Sequence, residues 1–154
     1  MNMPKPGPEH ERLMRFVGDW SGDEKLAPSP WGEGGPAFGS ARYSRRLDGM
    51  GLLLDYRQQI NGATVFDGHG VFLIEASTGD VLWWWFDSMA IPPEGPARGR
   101  WNGDTLLFEK TTAQGVSRYG YQLRGERYEF WIENKFPGQS EFTRFLTGEY
   151  ARHD

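Results

Sequence analysis

Turn-forming glycine pairs recur along this chain and point to many short strands joined by tight turns. Asp48-Gly49, Asn61-Gly62, Thr78-Gly79, Asn102-Gly103, Gln114-Gly115 and Gly125-Glu126 punctuate segments in which apolar and polar residues alternate. Asn-Gly is the strongest of these signals, because a two-residue type I′ hairpin needs positive φ at both positions. The segments between turns predict ten strands, at 18–26, 37–47, 51–60, 64–75, 81–89, 97–101, 104–111, 116–124, 127–135 and 140–152. A short helix precedes them, since EHERLMRFV places Leu13, Met14, Phe16 and Val17 on one face. Strands one and two are separated by the Pro/Gly loop APSPWGEGGP, and most later connections are short enough for sequential antiparallel pairing. Such a sheet exposes two edges unless it closes, and closure removes them. The expected fold is therefore all-β: a closed antiparallel up-and-down β-barrel of about ten strands with a short N-terminal helix, a single domain over residues 1–154 whose first eight residues form a flexible tail.

Composition narrows the function. A net charge of −4 offers no basic face for a phosphate backbone, so nucleic acid is not an expected partner. There is no cysteine, hence no disulfide, thiolate metal site or cysteine nucleophile. The first residues, MNMPKPGPEH, lack the apolar stretch of a secretory signal. Apolar runs such as VLWWWF are too short for a membrane helix. The expectation is a cytoplasmic protein that does not enter the membrane.

Gly18-Asp19-Trp20, after the helix and at the start of strand one, resembles the G-x-W of lipocalins and the wider calycin group. More closely, FVGDWSGDEKLAPSPWGEGG followed by FDGHGVFLIEASTGDVLWWWFDSMA resembles the DUF1579 family, a bacterial calycin-like group without an assigned common function. The resemblance implies a barrel related to lipocalins, fatty-acid-binding proteins and nitrobindins, and no particular ligand. Nitrobindins hold haem through a histidine late in the chain; here none occurs between His69 and His153, so no cofactor is expected. With only three histidines, two of them near the termini, no metal site is expected either.

Turn geometry assigns faces independently of that resemblance. Leu52, Leu54, Tyr56 and Ile60 form the apolar face of strand three and are placed inside. A two-residue turn at Asn61-Gly62 then carries Val65, Asp67, His69, Val71 and Leu73 inward, with Phe66, Phe72 and Ile74 outward. An even loop near Thr78-Gly79 extends this to Leu82, Trp84, Phe86 and Ser88 inside and Trp83 and Trp85 outside. Trp101, Leu106, Phe108, Tyr119, Tyr121, Tyr128 and Phe130 face in through the later hairpins, and Trp131 faces out. In the last strand Arg144, Leu146, Tyr150 and Arg152 share a face, so that Arg152 meets Trp20 and Arg144 reaches Glu24.

The resulting interior is aromatic with a few polar groups, the pattern of a small-molecule pocket. Trp20, Glu24, Tyr56, His69, Trp84, Ser88, Tyr119, Tyr121, Tyr128 and Arg144 are the candidate ligand contacts, and Trp31 in the long loop is a candidate cover. The ligand expected is small and hydrophobic or aromatic, with or without a carboxylate for Arg144. Phe66, Phe72, Ile74, Trp83 and Trp85 would form an outer patch, read as a homodimer interface. Two alternatives stay open: a cofactor-free isomerase, hydrolase or decarboxylase using His69, Asp67 and the tyrosines, and a protein-interaction module working through Trp83 and Trp85. For His69 a structural or ligand-orienting role is preferred to a catalytic one.

Overall fold

The computed structural model describes residues 2–30 and 32–153. Ten strands form one closed sheet: β1 (Gly18–Leu26), β2 (Gly35–Arg46), β3 (Gly51–Ile60), β4 (Ala63–Ile74), β5 (Val81–Asp87), β6 (Ala97–Asn102), β7 (Thr105–Thr112), β8 (Gly115–Arg124), β9 (Arg127–Lys135) and β10 (Thr143–His153). Each pairs antiparallel with its sequence neighbours, and β1 closes on β10. The predicted all-β barrel is the observed one. Strand ten begins three residues later than expected.

A helix, α1 (Pro8–Leu13), and a 3₁₀ turn (Met14–Phe16) seal one end. Pro8 opens α1, where a missing N–H leaves no hydrogen bond unmade. The Gly7 amide donates to His10 Nδ1 at 3.1 Å, which satisfies a further N-terminal donor. The turn drives Phe16 into the barrel, with ring centroids 5.5 Å from Tyr43, 5.3 Å from Tyr121 and 5.7 Å from Tyr128. Trp20 donates its indole N–H to the Phe16 carbonyl at 2.8 Å, and the Arg152 guanidinium lies 4.2 Å above the Trp20 ring. That is the expected meeting of the first and last strands, a cation–π contact over the sealed end.

One residue changes the facing of two strands. Asn61 and Gly62 both adopt positive φ, as the expected turn requires. Ile60 then pairs with Ala63 and Gln59 with Thr64, but Gln58 pairs with Phe66. Val65 is the extra residue of a β-bulge, and a bulge inverts the alternation of everything after it. Phe66, Gly68, Gly70 and Phe72 therefore point inward, whereas Asp67, His69 and Val71 point outward. The β4–β5 turn keeps even parity, pairing Phe72 with Trp83 and Gly70 with Trp85, so the inversion passes to β5. Trp83 and Trp85 are inside; Trp84 is outside. Phe72 is 2 % and Trp83 6 % exposed. The outer patch read as a homodimer interface from Phe66, Phe72, Ile74, Trp83 and Trp85 is part of the barrel lining instead.

A second bulge acts on β10. Arg144 pairs with Glu133 and Leu146 with Ile132, leaving Phe145 extra. Arg144 thereby leaves the face of Leu146 and Tyr150; it sits outside, 3.8 Å from Glu133 and 5.6 Å from the Trp131 ring. It is not a partner of Glu24.

The ladder between β5 and β6 contains three residue pairs, from Val81↔Gly99 to Trp83↔Ala97. Beyond Ala97 the two strands part, and residues 88–96 bridge them. At the sealed end the seam is pinned by buried Asp80, which accepts Arg98 Nη1 at 2.8 Å and Arg100 Nε at 2.9 Å. The hydrogen bond from Arg98, with further help from Arg100, holds the Asp80 carboxyl below its usual range. Asp80→Asn is expected to lower unfolding free energy by about 1–2 kcal/mol, since both arginines remain largely solvated. A depressed carboxyl stabilises the fold above its unfolded pKa and loses that effect as pH falls. The gap between wild type and variant in urea denaturation should accordingly be full near neutrality and shrink below about pH 4.

Candidate functional site at the open end of the barrel

Two halves of the interior differ. Near the helix, Trp20, Leu52, Phe72, Leu106, Phe108 and Leu123 are each at most 2 % exposed, so that half is filled by its own side chains. Towards the other end, Tyr56, Phe66, Trp85, Tyr119 and Phe130 face inward yet are only partly buried. Inward-facing rings that keep contact with solvent line an open mouth. Tyr119, buried enough to raise its hydroxyl pKa, stands 5.3 Å from Trp83 at the mouth's floor.

Glycines make room for these rings. Gly68 and Gly70 lie on β4 beside Trp85 and Trp83, and a Cβ at either position would collide with the indole. This is the arrangement in which a large aromatic side chain covers a bare backbone on the neighbouring strand. Trp131 repeats it on the outer surface over Gly120.

A polar group forms where the sealed half meets the mouth. Glu24 is 3 % exposed. Its carboxylate accepts the Tyr56 hydroxyl (2.6 and 2.8 Å to the two oxygens), the Gln58 amide (2.9 Å) and the Tyr150 hydroxyl. Gly39 and Gly148 leave space for the carboxylate and for Tyr150. Burial, then the nearby Glu24 charge, pushes the Tyr56 and Tyr150 hydroxyls far above the usual tyrosine value, so both remain protonated donors. Tyr56 connects this group to the mouth, its ring 6.2 Å from both Phe66 and Trp85. At the rim, Trp85 donates its indole N–H to Asp87 at 2.8 Å.

The candidate contacts now sort by position. Glu24, Tyr56 and Tyr119 belong to the mouth. Trp20, Tyr121 and Tyr128 are interior but lie in the sealed half, where Tyr43 and Tyr128 bring their hydroxyl oxygens within 3.0 Å. Trp84, Ser88, His69 and Arg144 are not in the lumen at all, and Trp31 lies outside the described residues. His69 bonds Asp55 at 2.8 Å on the outer wall, and Asp67 pairs with Arg57 at 3.2 Å. The Ser88 hydroxyl accepts the Asp67 amide at 3.1 Å, beyond the end of β5. The pair assigned to the enzyme alternative is thus split between separate hydrogen-bonded pairs on the outer wall. Phe66, Trp85 and Asp87 are mouth residues that the inverted facing hid, whereas Gln58 lies on the face of β3 already placed inside and is missed only as a contact. A usable signal existed: with Asp67 and His69 outward, Asp67 falls beside Arg57 as an ion pair and His69 beside Asp55 as a hydrogen-bonding partner.

Those outer pairs line a concave recess of about 930 Å³ across β1 to β5. Its charges are arranged as a cross-strand ladder in which Asp19 pairs with Arg42, Arg57 with Asp67 and Asp55 with His69. Each of these side chains already has a hydrogen-bonding partner within the ladder, so the recess is a self-satisfied wetted face.

The crystal structure of Rv2717c from M. tuberculosis aligns with a TM-score of 0.70 at 14 % identity, covering 96 % of this chain and 99 % of that one. The fold is a calycin-like barrel. Two single-substitution variants of the fluorescent protein UnaG share the same barrel at lower similarity. One aligns with a TM-score of 0.50 at 9 % identity over 92 % of this chain and 99 % of that one; the other with 0.53 at 12 % over 91 % and 97 %. No protein-family model matches the chain, and no curated protein does. Among the described residues, no helix of the calycin-like barrel is long and apolar enough to cross a membrane.

Proposed function

We propose that this calycin-like barrel binds a small hydrophobic or aromatic molecule in its open mouth. The supporting observation is the set of inward-facing, partly solvated rings Tyr56, Phe66, Trp85, Tyr119 and Phe130 above a fully packed floor. A ligand entering there exchanges water for aromatic surface, which contributes about 25 cal/mol for each Å² covered. The Glu24–Tyr56–Gln58 group orients it. Kinship with the DUF1579 family belongs to the same reading and rests on the two quoted stretches of sequence. A ligand carboxylate is the weaker variant of the proposal, because Arg144, its intended partner, is outside the barrel.

The direct test is titration with 2-naphthalenemethanol, followed by tryptophan fluorescence and by the indole N–H resonances. Saturable binding with a Kd on the order of 10–100 µM is expected for a ligand of this size. The Trp85 resonance should move while that of Trp101, at the sealed end, stays. Absence of saturable change up to about 1 mM, or movement of Trp101 alone, would overturn the proposal.

A further inference from the structure

Several carboxylates on the outside of this barrel face an arginine. Asp19 has Arg42, Asp67 has Arg57, Asp80 has Arg98 and Arg100, and Glu109 has Arg118. Two carboxylates at the mouth differ. The partners of Glu24 are two tyrosine hydroxyls and an amide; those of Asp87 are the Trp85 indole N–H and the Met89 backbone amide. All are neutral donors.

Between these two carboxylates stand three rings. Tyr56, Phe66 and Trp85 have mutual centroid distances of 6.2, 6.2 and 6.5 Å, and all three keep a solvated face. Two of them present their polar tips to the acids: Tyr56 O–H to Glu24 and Trp85 N–H to Asp87. A ring whose O–H or N–H is bound by a carboxylate gains electron density on its face, and the negative ring face is what attracts a cation. Lys110, on the face of β7 shared by Phe108, donates to the Gly95 carbonyl at 2.8 Å and ties the segment before β6 to β7, on one side of the split between β5 and β6.

We propose that the Tyr56–Phe66–Trp85 trio, backed by Glu24 and Asp87, receives the alkylammonium head of a small organic cation. The inference deepens the ligand-binding reading above and rests on it. The head group lies on the open face of the trio, within cation–π range of the rings, with the two acids supplying its counter-charge from behind. An ammonium bearing methyl groups suits such a surface better than a strongly hydrated primary amine, because it gives up less water on entering.

Three probes on one ring system test this: 2-naphthylmethyl-trimethylammonium, 2-naphthalenemethanol and 2-naphthoate, titrated calorimetrically. The ammonium is expected to bind about 10- to 30-fold more tightly than the alcohol, and the carboxylate more weakly than either. Glu24→Gln should remove most of that preference while leaving alcohol binding in place. If Glu24→Gln does not fold, Asp87→Asn at the rim makes the same comparison and should lower the preference about threefold. Equal binding of alcohol and ammonium, or a preference that survives both substitutions, would sink the ammonium assignment and leave the mouth as an apolar site. Failure of all three probes would instead remove the ligand-binding reading itself.

Discussion

Raising the pH should leave tyrosine absorbance unchanged until the barrel unfolds, and then all six tyrosines should ionise together. Every tyrosine of the chain, at positions 43, 56, 119, 121, 128 and 150, points into the interior. Burial raises each hydroxyl above its ordinary value. For an acid raised in the fold, the neutral form is the one the folded state favours. Its stabilising effect is complete below the unfolded pKa near 10 and is lost as pH climbs from there towards the folded value. Six such groups acting together withdraw about 8 kcal/mol for each pH unit above about 10. That equals the whole stability of an ordinary domain, so unfolding is expected within roughly one to two pH units of that point. Tyrosinate absorbance and far-ultraviolet circular dichroism, recorded on the same samples, should change with one midpoint. Tyrosinate appearing in two or more steps, with the fold intact after the first, would show that some of these hydroxyls are open to water.

The second large effect separates two adjacent tryptophans. Trp83→Ala is expected to destabilise the barrel by about 3–5 kcal/mol, as for other buried tryptophans, whereas Trp84→Ala should cost about 1 kcal/mol or less. Trp83 stacks on Phe72 at 5.2 Å and meets Phe108, Tyr119 and Tyr121 within 6 Å, so its removal leaves a void among rings that cannot close up. Trp84 lies on the outer wall beside Val71 and keeps part of its surface in water. Guanidinium denaturation of both variants measures the contrast. The opposite order would return Trp84 to the interior and Trp83 to the surface.

Those two tryptophans also mark where reading the sequence succeeded and where it stopped. Strand number, closure and hairpin positions follow from turn chemistry and alternation, both local properties, and they hold throughout β6 to β9. Arg152 over Trp20 follows as well, because it needs only the closing strands to pair. What local chemistry cannot supply is a count of residues inside a strand: Val65 and Phe145 each add one to a ladder without adding a glycine, proline or polar signal. After Val65 the assignment of Asp67, His69, Trp83, Trp84 and Trp85 is wrong as a block, though the turn at Asn61-Gly62 is right. Likewise Glu24 is correctly placed inside, while its partner set is missed: past Phe145 the arginine is outside, and tyrosines fill the place assigned to it. Glycines were the unused clue. Gly68 and Gly70 look like gaps on a solvent face, yet they are the floor on which the next strand's indoles rest.

The short seam between β5 and β6 gives the barrel a preferred way to deform. Its nine other joints carry at least five residue pairs each, but this one is stitched for three and knotted at one end by Asp80. Mechanically the wall is a rolled ribbon with a slit, not a pipe. Bending at the slit changes the bore at the mouth and leaves the helix-capped end untouched, because the stitched part acts as the pivot. Trp85 and Asp87 stand on one lip and Gly95, held by Lys110, on the other. The barrel can therefore adjust the width of its opening without disturbing the packed half that keeps it folded.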